Sequence, residues 1–369
     1  MAWMTRTKQK IFDPSRVAAL DYWRALALLM VVVWHYYPTT FNLGLLGVQI
    51  FFVLSGYLVS GSLFSNLESG RVEFKQFFRK RFLRILPSYY FFLIFSSGFL
   101  YLFLPQDASN VMIPEQFWPS YYFFFKNYNT SDPKVYSHLW TLCVEEHFYL
   151  TLPFLFLAHV RFFKGKHIVK SLLGLLLVQL AIKFFGSTAW FEQRGIFFSD
   201  PAATHNNFDS LLFGVLLRAT EPYWNHTRPR ILDGFLFLQA ALALGASFYI
   251  SIYQPSLWFN LGAFKTINAL AIASLLATSH SWQASFLGPL RVIAFYSYNW
   301  YLWHPFAIYW VLERYDKSAI GFGVYLFLGF LIAICCTHLV ELPVYRIFKS
   351  KTSLGLDETG ADLFEKRSA

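Results

Sequence analysis

Residues 25–37 read ALALLMVVVWHYY, an apolar run that begins just after Arg24 and carries His35 close to its end. An α-helix rises about 1.5 Å per residue with about 3.6 residues per turn, so Arg24 and His35 lie on one helix face, roughly 16 Å apart. A histidine inside a membrane costs free energy unless it faces protein or a watery cavity. The run therefore predicts a membrane helix with a functional histidine near its outer end.

The composition of the chain is that of an integral membrane protein. Hydrophobic residues make up 56% of the 369 residues and charged residues 14%, whereas soluble domains have about 25% charged residues. The net charge of +10 is concentrated in alternate connections between apolar runs, as the positive-inside rule requires. We therefore expect the lipid bilayer to be a partner of the chain and nucleic acid not to be one.

Apolar runs mark the expected helices, because a helix needs about 20 residues to cross the hydrocarbon core. We predict an all-α, polytopic integral membrane helix bundle with about ten transmembrane helices. They are expected near residues 22–39, 44–63, 87–105, 138–159, 168–186, 207–219, 231–252, 260–279, 292–312 and 320–340. The sixth helix is short, and we expect an interruption around Trp300.

Charge asymmetry predicts the orientation of the chain. Most of the 31 lysines and arginines precede the first helix, follow the last, or lie in every second connection, so both termini are expected to be cytoplasmic. We assign residues 1–348 to the membrane domain and residues 349–369 to a polar cytoplasmic tail that is expected to be disordered. No small-residue cleavage site follows the first apolar run, so we expect that helix to be retained. We also expect no fused soluble domain after the tenth helix.

Seven short motifs stand in order along the chain. They are LDYWRAL (20–26) followed by His35, GVQIFFVLSGYL (47–58), RKRFLRILP (79–87), HLWTLCVEEHFY (138–149), FDSLLFG (208–214), YNWYLWHP (298–305) and ELP (341–343). In these motifs the chain closely resembles the membrane acyltransferase 3 family, whose members O-acylate cell-envelope and exported glycans and some small molecules. The sequence departs from the usual family pattern at Thr141, where serine is common, at His147, where glutamine is common, and at Gln49, where an acidic residue is frequent.

His35 and Glu145 are the catalytic candidates. Glu145 lies seven residues inward from His138, about 10 Å below the outer end of its helix, at a depth comparable with that of His35. His138, Glu145 and Tyr149 share one helix face, so His138 and Tyr149 are candidate supporting residues. A carboxylate beside an imidazole orients it for general-base catalysis on a sugar hydroxyl. The resemblance implies that His35 is the essential base or a transient acyl acceptor, and purely structural roles for both candidates are the alternative.

Arg81 and Arg84 lie three residues apart, on one face of a helix that enters the membrane. Guanidinium groups bind phosphates bidentately, and coenzyme A has three phosphates. The resemblance implies that this pair contacts acyl-coenzyme A, expected to be acetyl-coenzyme A. Anchoring by the positive-inside rule is the alternative. Arg24 can either bind the donor as well or pair with Asp21, three residues earlier.

Three further polar residues are candidates for supporting roles. Ser55 lies in no nucleophile motif, and with Gly56 it favours close helix packing over catalysis. Thr141 keeps the hydroxyl of the serine that is common in the family. His304 precedes Pro305, which favours a structural kink over catalysis. We expect no metal site, because the three cysteines show no Cys/His spacing typical of zinc.

The resemblance implies a membrane O-acyltransferase of the bacterial cytoplasmic membrane. It would move an acyl group, with acetyl expected first, from cytoplasmic acyl-coenzyme A to a hydroxyl of a cell-envelope or exported glycan, such as O-antigen, exopolysaccharide or a lipid-linked sugar. One alternative is an acyltransferase that acts on a small molecule such as a macrolide. Another is a transporter or flippase without covalent chemistry, because transporters also place ionisable residues within many-helix bundles. The sequence leaves the oligomeric state open.

Overall fold

The computed structural model describes residues 7, 9, 11–13, 16–39, 41–67, 73–103, 111–129, 133–164, 166–186, 202–224, 229–253, 264–312, 314–315 and 317–353. Within these ranges the chain folds into eleven α-helices of at least twelve residues. They are α1 (Ala18–Tyr36), α2 (Leu43–Leu67), α3 (Phe74–Phe103), α4 (Trp140–Phe163), α5 (Ile168–Gly186), α6 (Phe208–Trp224), α7 (Arg230–Tyr253), α8 (Phe264–Ser279), α9 (Gly288–Leu312), α10 (Ala319–Cys336) and α11 (Leu342–Ser353). A π-helical turn, Thr337–Glu341, joins α10 to α11.

The helices α1 to α10 fall on the ten predicted apolar runs. The start of α3 is the main difference, because this helix begins at Phe74 and not at residue 87. Its basic first turns lack the apolar character by which the run was recognised, yet they are helical. The expected interruption around Trp300 is wrong, since α9 runs without a break from Gly288 to Leu312.

Five helical segments among the described residues are long and apolar enough to cross a membrane. They are Ala18–Tyr36, Leu43–Ser65, Phe74–Phe103, Arg230–Tyr249 and Ala319–Phe348. The all-α prediction is therefore confirmed and the chain is a multi-pass membrane protein, while ten spans and cytoplasmic termini stay predictions. The last helix continues to Ser353, past the predicted start of the tail. Residues 354–369, where we predicted disorder, lie outside the described residues.

The helices α2 and α6 cross so closely that only glycine fits at the crossing. A Cβ atom on Gly56 would overlap the backbone carbonyl of Leu211, and one on Gly214 would overlap that of Val53. Small residues let membrane helices approach in this way, so the packing role predicted for Gly56 is confirmed. The crossing holds α2 in place, and Ser55 immediately precedes Gly56 on this helix.

We expect Gly214→Ala to destabilise the folded protein by about 1–3 kcal/mol or more, because the added methyl group forces α2 and α6 apart. Gly174→Ala is the matched control, since a Cβ on Gly174 meets no described atom within 4 Å. Thermal unfolding in detergent measures both variants. A melting temperature of Gly214→Ala equal to that of the wild-type protein would contradict the close crossing.

Candidate active site

A cavity of about 540 Å³ lies among α1, α2, α3, α4, α9 and the π-helical turn. Its volume is within the range of small-molecule sites. Seven of the predicted site residues line it, namely Arg24, Ser55, Arg81, Arg84, Thr141, Glu145 and Tyr149. Arg16, Tyr298, Tyr301 and Glu341 also line it, and none of these four was predicted as a site residue. The fold thus brings together polar side chains from five helices, the turn, and the segment before α1.

Four arginines, Arg16, Arg24, Arg81 and Arg84, line this cavity, and two of them, Arg16 and Arg24, pair with Asp21. Asp21 is 2% exposed and does not line the cavity. Its carboxylate forms ion pairs with Arg16, with Arg24 at 3.7 Å and with Arg291 at 3.3 Å. Arg24 thus pairs with Asp21, one of the two roles considered from the sequence, and also faces the cavity, while binding of the donor by Arg24 stays a prediction. Asp21 holds Arg16 and Arg24 in place.

Arg81 and Arg84 come from the first half of α3 and face the same cavity. Their spacing of three puts them on one face of the helix, as expected. The guanidinium of Arg81 lies 5.5 Å from the ring centroid of Tyr149 in α4, which restricts its orientation. The unforeseen helical start of α3 matters here, because it places both arginines on a regular helix rather than on a loop.

Glu145 faces the arginine-lined part of the cavity. Its Oε1 accepts a hydrogen bond of 2.5 Å from the Ser55 hydroxyl. Among the described residues no contact joins Glu145 to His35, so the expected carboxylate–imidazole pair is not formed. Two residues at equal depth in different helices need not face each other, and here the face of α4 that carries Glu145 is turned toward α2 and α3. Ser55 does more than pack, since its hydroxyl bonds the carboxylate.

A second carboxylate, Glu341, reaches the cavity from the π-helical turn. Its Oε2 accepts a hydrogen bond of 2.8 Å from Asn299 Nδ2 in α9. Turns of this kind are frequent at functional sites, because the extra residue redirects side chains. The sequence contained the ELP motif, but the turn that aims Glu341 inward depends on packing between α9 and α10 and is not visible in the local pattern.

A pair of hydroxyl groups also lines the cavity. The Thr141 and Tyr301 hydroxyls lie 2.7 Å apart and are hydrogen-bonded, and both residues line the cavity. Thr141 and Tyr149, whose ring contacts Arg81, are eight positions apart in α4, which corresponds to roughly 12 Å along the helix. The Arg81–Tyr149 contact and the hydroxyl pair therefore line separate parts of the cavity.

His35 is half-buried and does not belong to the described lining of this cavity. Its Nδ1 donates a hydrogen bond of 2.8 Å to the Val31 carbonyl, since a carbonyl oxygen can only accept. The neutral ring therefore keeps a lone pair on Nε2. The ring centroid of His304 lies 4.7 Å from that of His35 and 5.5 Å from that of Tyr301. His304 thus lies between His35 and the wall of the cavity.

His138 and His304 complete a group of three imidazoles with His35, which we call the histidine cluster. Both are buried, at 4% and 0% exposure, and their ring centroids lie 5.3 Å apart. The kink expected at His304 does not interrupt α9, although Pro305 is inside that helix. The sequence suggested His35, His138 and His304 one by one, but only tertiary packing shows that they adjoin.

Comparison with known proteins places the chain among acyltransferases. A family model described as an acyltransferase domain matches residues 17–341. The chain is 25% identical over 358 residues to the O-acetyltransferase OatA of Staphylococcus aureus, covering 93% of this chain and 58% of that protein. It is 29% identical over 327 residues to the peptidoglycan O-acetyltransferase OatA of Listeria monocytogenes, covering 82% and 50%.

A third relative is the putative peptidoglycan O-acetyltransferase YrhL of Bacillus subtilis. It is 26% identical over 356 residues, covering 89% of this chain and 55% of the relative. The chain therefore spans about half the length of the curated relatives it matches. No solved structure matches the chain.

Proposed function

The chain belongs to the acyltransferase family whose domain model matches residues 17–341, and from this we propose that it O-acetylates a cell-envelope glycan. Membership confirms the resemblance noted in the sequence motifs. The relatives are named as O-acetyltransferases, one of them as a peptidoglycan O-acetyltransferase and one as a putative peptidoglycan O-acetyltransferase, which supports acetyl as the acyl group and a glycan hydroxyl as the acceptor. We further propose that the protein resides in the bacterial cytoplasmic membrane and draws acetyl-coenzyme A from the cytoplasm.

The observation that carries the proposal is the set of four arginines that line the cavity. Coenzyme A presents three phosphates, and guanidinium groups bind phosphate oxygens through paired, charge-assisted hydrogen bonds. Arg16, Arg24, Arg81 and Arg84 face one cavity, whereas anchoring to lipid headgroups needs no convergence on an interior space. In the proposed complex these arginines hold the phosphates and the acyl end of the donor extends toward Thr141 and Tyr301.

His35 is the proposed reactive group. As a base, its Nε2 takes the proton of the acceptor hydroxyl, the freed oxygen forms the bond to the acyl carbon, and the carbon–sulfur bond breaks to release the thiolate. As a carrier, Nε2 itself forms the bond to the acyl carbon while the carbon–sulfur bond breaks and the thiolate leaves. In a second step the sugar oxygen forms the bond to the acyl carbon, the bond to Nε2 breaks, and the hydroxyl proton passes to the freed imidazole. Both routes need the lone pair that the hydrogen bond to Val31 leaves on Nε2.

Glu145 takes a different proposed role from the one expected from the sequence. It lies on the donor side, bonded to Ser55, near Arg81 and Arg84 in the cavity wall. A carboxylate there balances part of the arginine charge and fixes the Ser55 hydroxyl. We therefore place it among the groups that shape the donor site and not beside the acceptor.

The proposal is tested with purified protein, acetyl-coenzyme A and a panel of acceptors. We expect thiol release that depends on solubilised peptidoglycan fragments, and ester-linked acetate on those fragments by mass spectrometry. Thiol release with a macrolide and not with any glycan would replace the acceptor by a small molecule. Translocation of a lipid-linked sugar without thiol release would show a flippase and contradict the proposal.

A further inference from the structure

The ring of His304 contacts that of His35, but the proposed function assigns no role to His304. It is fully buried, it does not belong to the described lining of the donor cavity, and its ring contacts those of His35, His138 and Tyr301. Burying three imidazoles against one another is costly unless they are neutral and satisfied. The arrangement therefore calls for a reason beyond packing.

Pro305 explains how the His304 ring is held. A proline has no backbone N–H, so the carbonyl four residues earlier, that of Tyr301, loses its usual partner in the helix. The Nδ1 of His304 donates a hydrogen bond of 2.6 Å to this carbonyl. The side chain thus replaces the missing backbone donor, which accounts for the unbroken course of α9.

This bond also fixes the tautomer of His304. With the proton on Nδ1, the neutral ring has its lone pair on Nε2. Nε2 is buried and has no hydrogen-bond partner among the residues that the structure describes. A buried acceptor without a partner is uncommon and calls for a functional or solvent explanation.

His138 shows the same arrangement with its nitrogens exchanged. Its Nε2 donates to the Leu302 carbonyl at 3.1 Å, and its Nδ1 is buried without a partner within the described ranges. Each member of the histidine cluster therefore has one N–H tied to a backbone carbonyl and one nitrogen with a lone pair. Such a cluster has lone pairs that can pass on one proton, and it disfavours holding two, because adjacent imidazolium ions repel each other.

The chemistry of acyl transfer requires a net transfer of a proton from the acceptor hydroxyl to the departing sulfur. When the acceptor oxygen forms its bond to the acyl carbon, the proton it loses goes to a base, and the electrons of the broken carbon–sulfur bond remain on sulfur. That sulfur leaves on the donor side, where Thr141 and Tyr301 line the cavity. The proton has to end on this thiolate for the atoms and charges to balance.

We propose that His304 receives at Nε2 the proton that His35 removes from the acceptor, and passes it toward the Thr141–Tyr301 hydroxyl pair and the thiolate. The inference rests on the proposed function. His304 is a positioning residue in this scheme, since it acts through His35 and touches neither substrate. The hydroxyl pair, hydrogen-bonded at 2.7 Å, provides exchangeable protons at a part of the cavity wall where the Tyr301 ring contacts those of His138 and His304.

The test compares His304→Gln with His159→Gln in the purified transfer assay with acetyl-coenzyme A and peptidoglycan fragments. Glutamine keeps an N–H that can bond the Tyr301 carbonyl but cannot carry a proton. His159 is a buried histidine bonded to Ser171, outside the cavity and the cluster, and serves as the control. We expect kcat of His304→Gln to fall by at least about 100-fold with KM for acetyl-coenzyme A changed by less than about twofold.

Chemical rescue separates proton transfer from a structural role. His304→Ala leaves space for a free imidazole, and we expect added imidazole to restore kcat at least about tenfold. A loss of activity that imidazole does not reverse, or a His304→Gln variant with the kcat of the wild-type protein, would overturn the inference. Should His304→Gln not fold, as judged by size-exclusion chromatography, the rescue of His304→Ala or of His304→Asn decides the question.

The wild-type protein distinguishes failure of this inference from failure of the proposed function. If the wild-type protein transfers acetyl groups and His304→Gln does so equally well, only the role of His304 is wrong. If the wild-type protein releases no thiol with any acceptor, the proposed function itself is wrong and the inference is overturned with it.

Discussion

Replacing His35 by alanine abolishes acetyl transfer and leaves the protein folded in the membrane. General acid–base catalysis by a positioned side chain contributes about 10²–10⁴-fold, and loss of an acyl carrier stops the reaction altogether, so we expect kcat to fall at least about 100-fold. The half-buried ring makes one described backbone hydrogen bond, to Val31, so its removal costs little packing. Ester-linked acetate on peptidoglycan fragments, measured after incubation with acetyl-coenzyme A, gives the loss.

His35→Asn is the matched companion to this variant. Asparagine can still donate to the Val31 carbonyl, but it has no basic nitrogen corresponding to Nε2 of the imidazole. We expect it to be as inactive as His35→Ala, with the same elution volume and melting temperature as the wild-type protein. Retention of more than about a tenth of the wild-type kcat by His35→Asn would show that the reaction does not need the lone pair.

Loss of Arg81 or Arg84 weakens binding of the donor far more than it slows the chemical step. A hydrogen bond to a charged group contributes about 1.5–3 kcal/mol, so we expect Arg81→Gln and Arg84→Gln each to raise KM for acetyl-coenzyme A by about 10-fold to 150-fold. The kcat at saturating donor should change much less, because the phosphates lie away from the reacting carbon. Steady-state kinetics with varied acetyl-coenzyme A separates the two parameters.

Arg79→Gln is the control for the arginine variants. Arg79 lies on the same helix, α3, but it is exposed and does not belong to the described lining of the cavity. The Arg79→Gln substitution removes the same charge from the same part of the protein surface, so membrane anchoring alone predicts a similar effect on KM for all three substitutions. An increase in KM for Arg79→Gln equal to that for Arg81→Gln would contradict a specific phosphate site.

The helices were predictable because their pattern is local. Runs of about 20 apolar residues mark membrane helices regardless of what surrounds them, and this placed α1 to α10 correctly. The start of α3 was missed for the same reason, since residues 74–86 are too basic for a hydropathy argument although they are helical. The break expected near Trp300 failed because a side chain of the helix itself, that of His304, bonds the carbonyl that Pro305 leaves free.

The site was only partly predictable because it depends on how helices are rotated about their axes. Helical spacing correctly put Arg81 with Arg84, and both now face one cavity. Spacing along α1 and α4 gave the depth of His35 and Glu145 but not the direction in which each points, and the structure separates them. Tyr301 and Glu341 lie in the quoted motifs 298–305 and 341–343, but the motifs do not show that these side chains face the cavity, because each reaches it through contacts between elements distant in the sequence.

Arg16 shows a different limit of sequence reasoning. It was counted among the cytoplasmic anchors, which the positive-inside rule explains without any further role. Its pairing with Asp21 draws it from the segment before α1 into the cavity wall. One buried carboxylate thus recruits a basic residue whose position in the sequence is typical of a surface charge.

A cryo-EM structure of the protein with a non-hydrolysable acetyl-coenzyme A analogue tests the central claim most directly. The account predicts phosphate density against Arg81 and Arg84 and the acyl carbon near Thr141 and Tyr301, with the wall opened toward His35. His35 Nε2 then lies about 3–3.5 Å from the carbon if it is the carrier, or within hydrogen-bond reach of an acceptor oxygen placed beside that carbon if it is the base. An analogue bound away from these arginines, or an acyl carbon still walled off from His35, would contradict it.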